Sequence, residues 1–112
     1  MSNQAPVLNV GIIGLGMAGA GVAPLVTAMP NTNLIGAADV NSRALDDFSE
    51  RYHGRTYASA EELCADSEID AVWIATPNPY HCPHTVLAAR HGKHVIIEKP
   101  MATSLQEAVV RP

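Results

Sequence analysis

Val10-Gly11-Ile12-Ile13-Gly14-Leu15-Gly16-Met17-Ala18-Gly19 sets three glycines in G-x-G-x-x-G register directly behind a β-branched apolar run. A strand feeding a glycine turn that opens a helix is the dinucleotide-binding fingerprint, and each glycine has its own physical task. Gly14 permits the tight strand-to-helix turn, Gly16 lets the backbone approach a pyrophosphate, and Gly19 lets the helix pack close to its strand. Phosphates then rest on the helix N-terminus, where unpaired N–H groups and the positive end of the helix dipole favour an anion without a charged side chain. Gly14, Gly16, Met17, Ala18 and Gly19 are the candidate phosphate-side residues. Alone the motif is weak, because glycine-rich turns that bind nothing share it, and the surrounding chain has to decide.

On either side of the turn, short apolar strands alternate with helical patterns. Val7 to Ile13 reads as a buried strand, and Val22, Leu25, Val26 and Met29 then repeat at helical spacing. Pro24 within that pattern predicts a kink, or a helix that begins later than the glycine motif implies. Leu34 to Ala38 is a second strand ending at Asp39, and Asn41 or Ser42 caps a helix that buries Leu45, Phe48 and Tyr52 and stops at His53-Gly54. A weak third strand, Arg55 to Tyr57, leads to the capping box Ser59-Ala60-Glu61-Glu62 and a short helix carrying Leu63 and Cys64. Ala71 to Ala75 is the clearest central strand, with Trp73 in the core, and Thr76-Pro77-Asn78-Pro79 breaks it. A helix from about Pro83 to Arg90 follows, Gly92 stands where a helix end wants a left-handed residue, and Val95 to Ile97 is the next strand. Ser104-Leu105-Gln106-Glu107 is a second capping box, whose helix has barely begun at Pro112.

Continuous apolar strands separated by helices predict a parallel sheet covered on both faces, an α/β Rossmann-type doubly wound fold. In such a sheet ligand sits at the carboxyl ends of the strands, where the Gly14 turn, Asp39, Thr76, Pro77, Asn78, Glu98 and Lys99 all fall. With 112 residues, 47% hydrophobic and 16% charged, the chain fits one small domain with a buried core, assigned here to residues 5–112. A net charge of −4 with basic residues scattered singly gives no footprint for nucleic acid or an anionic membrane. The apolar runs fall short of a bilayer span and the first residues lack signal-peptide features, so the expected location is the cytoplasm, with Cys64 and Cys82 as free thiols. His81-Cys82-Pro83-His84 offers two histidines and a cysteine, too few to close a tetrahedral site, and Pro83 marks a helix start, so no metal is expected.

Asp39 carries the cofactor argument further. A carboxylate at the end of the second strand, about 20 residues past the glycine turn, can accept from the adenosine ribose hydroxyls and repel a 2′-phosphate. NAD is therefore expected over NADP, while Arg43, four residues on, could reach a 2′-phosphate and keeps NADP possible. The alternative for Asp39 is a turn or helix-capping aspartate.

Gly14-Leu15-Gly16-Met17-Ala18-Gly19, Asp39, Ala75-Thr76-Pro77-Asn78 with His81, and above all Glu98-Lys99-Pro100 resemble the N-terminal NAD(P)-binding domain of the Gfo/Idh/MocA family (glucose-fructose oxidoreductase, inositol dehydrogenase and rhizopine-catabolism proteins). The resemblance spans nearly the whole chain, and around Gly16 to Gly21 and Glu61 to Cys64 it is most similar to dihydroxyphthalate dehydrogenase-type members. It implies that Gly14, Gly16 and Gly19 cradle the pyrophosphate, that Asp39 binds the adenosine ribose, and that Thr76, Pro77 and Asn78 line the cofactor between its riboses. His81 would stand near the nicotinamide end. Glu98 and Lys99 would flank the nicotinamide ribose, with Lys99 reaching the reacting hydroxyl and the Lys99-Pro100 bond commonly cis.

A lysine suits that chemistry, because hydride leaves a secondary alcohol only as the hydroxyl proton is lost, and an amine beside the oxygen can relay it. The implied activity is an NAD(P)-dependent dehydrogenase acting on a sugar, polyol or cyclic diol, homo-oligomeric when full-length. The alternative is a stand-alone dinucleotide-binding or regulatory module. Family members add a second α/β domain that holds substrate. Its absence here, with a last helix abandoned after its cap, leads us to expect a truncated reading of a longer enzyme that does not turn over substrate alone.

Overall fold

A computed structural model describes residues 7–97, with 17–20 and 78 described by their backbone alone. Five strands, β1 (Leu8–Ile13), β2 (Thr32–Ala38), β3 (Arg55–Tyr57), β4 (Ala71–Ile74) and β5 (His94–Ile97), form one parallel sheet in the order β3-β2-β1-β4-β5. The chain starts in the middle, winds outward to β3, then crosses back over β1 to β4. That reversal opens a crevice above the carboxyl ends of β1 and its two neighbours, the place where open α/β sheets bind ligand.

The strand side chains alternate between two cores. Val10 and Ile12 of β1 and Trp73 of β4 pack with Val22, Ala23 and Val26 of α1 (Met17–Ala28) and Phe48 of α2 (Ser42–Tyr52). On the opposite face, Ile13, Val72, Ile74 and Ile97 pack with Leu63 and Cys64 of α3 (Ala60–Cys64) and Ala88 of α4 (His81–Arg90). Helices therefore cover both faces, as the apolar strands predicted.

Local chemistry sets the helix ends. Asn41 Oδ1 accepts from the N–H groups of Arg43 (3.0 Å) and Ala44 (3.2 Å), and α2 ends on His53 in the left-handed region at φ 56°. Ser59 Oγ accepts from Glu62 N–H at 3.1 Å, the forward half of the expected capping box. Gly92 has φ 74° after α4.

Three expectations need correction. First, α1 begins directly at Met17, and Pro24 lies inside it on the solvent side, where water can take the hydrogen bond that proline forfeits. Second, its buried stripe is Val22, Ala23 and Val26, while Leu25 and Met29 are 47% and 39% exposed. Relative to Val22, Val26 and Ala23 lie about 40° and 100° round in one direction, and Leu25 falls about 60° the other way. Third, α4 starts at His81 rather than Pro83, after a 3₁₀ turn over Asn78–Tyr80. Pro83 is its third residue, where a backbone N–H would have had no helical partner. The Ser104 capping box and the helix behind it lie outside the described residues.

Lys93 is buried, and its ammonium donates to the carbonyls of Asp66 (2.8 Å) and Ile69 (2.6 Å), clasping the loop between α3 and β4. That loop is also tied to the edge strand β3. Arg55 pairs with Asp66 and Glu68, each at 2.8 Å, and the Tyr57 hydroxyl donates to Asp66. The Tyr57 hydrogen bond, with Glu68 N–H second, brings the Asp66 carboxyl down from 3.8 to about 2.

Because this pKa is depressed in the folded state, its stabilisation is fully present above the ordinary carboxyl value and is lost as pH falls towards 2. Thermal melts at stepped pH should show Asp66→Asn less stable than wild type at pH 7, with the difference closing between pH 4 and 2. A difference that persists at the acid end would place the effect in packing instead.

Candidate functional site

Above the carboxyl end of β1 the chain is pinned from both sides. Gly14 N–H donates to Ala38 O at 2.9 Å, and Ala75 N–H donates to Ile13 O at 2.8 Å, which carry the ladders to β2 and β4 one step past the strand. Asp39 then closes the turn, accepting from Leu15 N–H at 2.6 Å on one oxygen and from Asn41 N–H at 2.8 Å on the other.

The first two glycines of the motif are required for different reasons. Gly14 has φ 101°, and a Cβ there would lie 2.9 Å from Thr76 Cγ2 and 3.0 Å from the backbone of Ala75 and Thr76. The fold itself demands glycine at that position. Gly16 is the N-cap of α1 with an ordinary φ of −69°, and a Cβ there would meet nothing within 4 Å. Among the described residues no neighbour explains the missing side chain, and none caps the first N–H groups of α1 with a side chain. A backbone left bare before open space, at an uncapped helix N-terminus, fits the approach of a diphosphate.

That space belongs to a cavity of about 550 Å³ that runs across the ends of β1, β2, β3 and β4. Of the candidate residues, Gly14, Gly16, Asp39, Thr76 and Pro77 line it. Each Asp39 oxygen accepts one backbone N–H and keeps a further lone pair, so the turn role and acceptance from a hydroxyl are compatible. Met17, Ala18 and Gly19 form the first turn of α1, and Asn78 opens the 3₁₀ turn. Arg43 is exposed in the first turn of α2 and is not among the lining residues.

His81 stands behind the loop that follows β4. Its Nε2 is bonded to Thr76 O, a group that can only accept, so Nε2 carries the proton; Nδ1 is buried and finds no partner among the described residues. The ring braces the loop after β4 from behind and is not in the cavity wall. The histidine in the wall is His84, whose Nδ1 lies 3.0 Å from Thr76 Oγ1 and whose ring stacks on Tyr80. Burial, and secondarily the neighbouring His81, hold His84 below the usual histidine value, so it is neutral at pH 7.

Sequence reasoning missed Val40, Ser59, Tyr80 and His84 in this wall. Val40 offered a signal, since an apolar side chain straight after Asp39 at a strand end has no core to enter, and it is 95% exposed. Ser59 did not, because its capping pattern accounts for it fully. Glu98, Lys99 and the Lys99-Pro100 bond lie outside the described residues. Among the described residues no cluster of three His, Cys, Asp or Glu side chains could hold a metal ion, and no helix is long and apolar enough to cross a membrane.

Comparison with known proteins agrees with this geometry. Residues 8–110 match the model of the Gfo/Idh/MocA group, described as an oxidoreductase family with an NAD-binding Rossmann fold. The 1-carboxy-3-chloro-3,4-dihydroxycyclohexa-1,5-diene dehydrogenase of Comamonas testosteroni is 31% identical over 101 residues, covering 89% of this chain and 25% of that protein. Glucose-6-phosphate 3-dehydrogenase of Bacillus subtilis is 35% identical over 102 residues, covering 91% of this chain and 29% of that one. The crystal structure of GenD2 from gentamicin A biosynthesis, in complex with NAD, superposes with a TM-score of 0.80 at 30% identity, covering 89% of this chain and 29% of GenD2. The chain thus spans between a quarter and a third of the length of these relatives. It belongs to the Gfo/Idh/MocA oxidoreductase family, in which it corresponds to the NAD-binding Rossmann domain.

Proposed function

We propose that this chain holds NAD(H) in the cavity above β1, β2 and β4, as the cofactor domain of a dehydrogenase acting on a secondary alcohol of a sugar, polyol or cyclic diol. The observation that carries the reading is Gly16, bare of side chain where the fold leaves room for one. Bound NAD supplies the hydride acceptor. The chain's own part is to position it: the turn at Gly14 brings the backbone N–H groups from Gly16 to Gly19 to the diphosphate, Asp39 accepts from the adenosine ribose, and Thr76, Pro77 and Asn78 flank the middle of the dinucleotide. The substrate class is inferred from the relatives, one named for a cyclic diol and one for a sugar phosphate. Substrate contacts are assigned to a further domain of the kind those longer proteins have room for. Glu98 and Lys99 are assigned to the nicotinamide ribose, and Lys99 to relaying the hydroxyl proton as hydride departs.

Gly16→Val should keep the circular dichroism spectrum and melting temperature of the wild type while losing measurable NAD binding by calorimetric titration. Gly14→Val should lose the fold. NAD binding that survives in a folded Gly16→Val variant would put the phosphate site elsewhere and overturn the reading.

The negative charge of Asp39 opposes a 2′-phosphate, so NAD should bind more tightly than NADP by about tenfold or more, a margin of 1.4 kcal/mol. Parallel titrations of the two cofactors measure it. Tighter binding of NADP that disappears in Arg43→Ala would transfer the choice of cofactor to Arg43.

Where this domain is joined to a substrate-binding one, Lys99→Ala should slow hydride transfer by about 10²- to 10⁴-fold, the usual contribution of a positioned acid–base group, with NAD affinity nearly unchanged. Single-turnover kinetics separate the two effects. An unaltered transfer rate would remove Lys99 from the chemistry.

A further inference from the structure

The part of the cavity wall built after β4 holds two rings that the glycine turn does not account for. Tyr80, at the end of the 3₁₀ turn, and His84, in the first turn of α4, stack with centroids 6.1 Å apart and planes 21° from parallel. Tyr80 is nevertheless 55% exposed, so packing within the described residues leaves over half of it uncovered. Its stacking partner is fixed in turn. His84 is bonded to Thr76 Oγ1, and Thr76 is held through its carbonyl by His81. Neutral at pH 7, His84 adds no charge to the wall.

The same cavity reaches Val40 behind β2 and Ser59 behind β3. With the diphosphate at Gly16 and the ribose carboxylate on β2, the half that extends over β2 and β3 is the adenosine half. Val40 behind β2 and the Tyr80 ring behind β4 are exposed apolar groups of this one cavity, and a flat aromatic base held beside the ribose would cover them.

We propose that Tyr80 is the platform on which the adenine ring of the cofactor lies, and that His84 is the positioning residue that holds Tyr80 in its stacking orientation. The proposal rests on the reading of the cavity as an NAD site and adds the means of base recognition. Stacking on a ring is tolerant of the base's edge, so the platform supplies affinity, while Asp39 reads the ribose.

ADP-ribose, which has the adenine but lacks nicotinamide, and nicotinamide mononucleotide, which has the reverse, separate the two ends in calorimetric titrations. Tyr80→Ala, at an exposed position, should weaken both ADP-ribose and NAD by about tenfold or more, and Tyr80→Phe should restore binding to within about twofold of wild type. Mononucleotide binding should not change. His84→Ala should weaken ADP-ribose less than Tyr80→Ala does, and the double variant should be no weaker than Tyr80→Ala alone, because His84 acts through Tyr80. Wild-type affinity for ADP-ribose in Tyr80→Ala, or a loss confined to the mononucleotide, would overturn the platform while leaving the NAD site standing. A wild-type chain that binds neither NAD nor ADP-ribose would overturn both.

Discussion

The carboxylate of Asp39 joins two loops across the ends of β1 and β2. One oxygen holds Leu15 N–H in the glycine turn and the other holds Asn41 N–H ahead of α2, so the end of β2 fixes the turn that follows β1. Hydrogen bonds to a charged acceptor are stronger than neutral ones, and this pair sets the height at which the backbone of Gly16 faces the cavity. The same residue thereby shapes the glycine turn and keeps lone pairs free on the cavity side. The turn role of Asp39 and the ribose role proposed for it are therefore compatible uses of one carboxylate.

Much of the fold was legible because its signals are local. Glycines at fixed offsets, Asn41 and Ser59 at helix starts, His53-Gly54 at a helix end and the apolar run at β4 each report a conformation within a few residues. What was not legible depends on contacts distant in sequence. Nothing near Lys93 in the chain announces that its ammonium will be buried against carbonyls 24 and 27 residues earlier. Nor does Arg55-Thr56-Tyr57 reveal that β3 will lie beside β2 in register with Gly36, which is what brings Ser59 to the cavity. The error in the face of α1 has another source. Leu25 and Met29 are apolar and correctly spaced, but the smaller Ala23 is what packs against the sheet, and periodicity counts hydrophobicity rather than fit.

The loop after β4 illustrates how little chain a cavity wall needs. Between Thr76 and His84, one residue faces the glycine turn through its methyl group, one histidine braces that residue's carbonyl, and a second holds its hydroxyl and stacks on Tyr80. Thr76 is thus fixed through its backbone and its side chain, and the two histidines divide the work of structure and surface between them. A motif match in this stretch points to His81, and the geometry adds His84 to the cavity wall.

Asp66 has a consequence for how the sheet comes apart. Its carboxylate is tied to Arg55 and Tyr57 on β3, and its carbonyl to Lys93, which leads into β5. Among the described strands these two are the outermost, and edge strands are the ones that fray first. With one residue anchored to both, loosening of either edge weakens the hold on the other, and hydrogen exchange is expected to show the amide protons of β3 and β5 opening together.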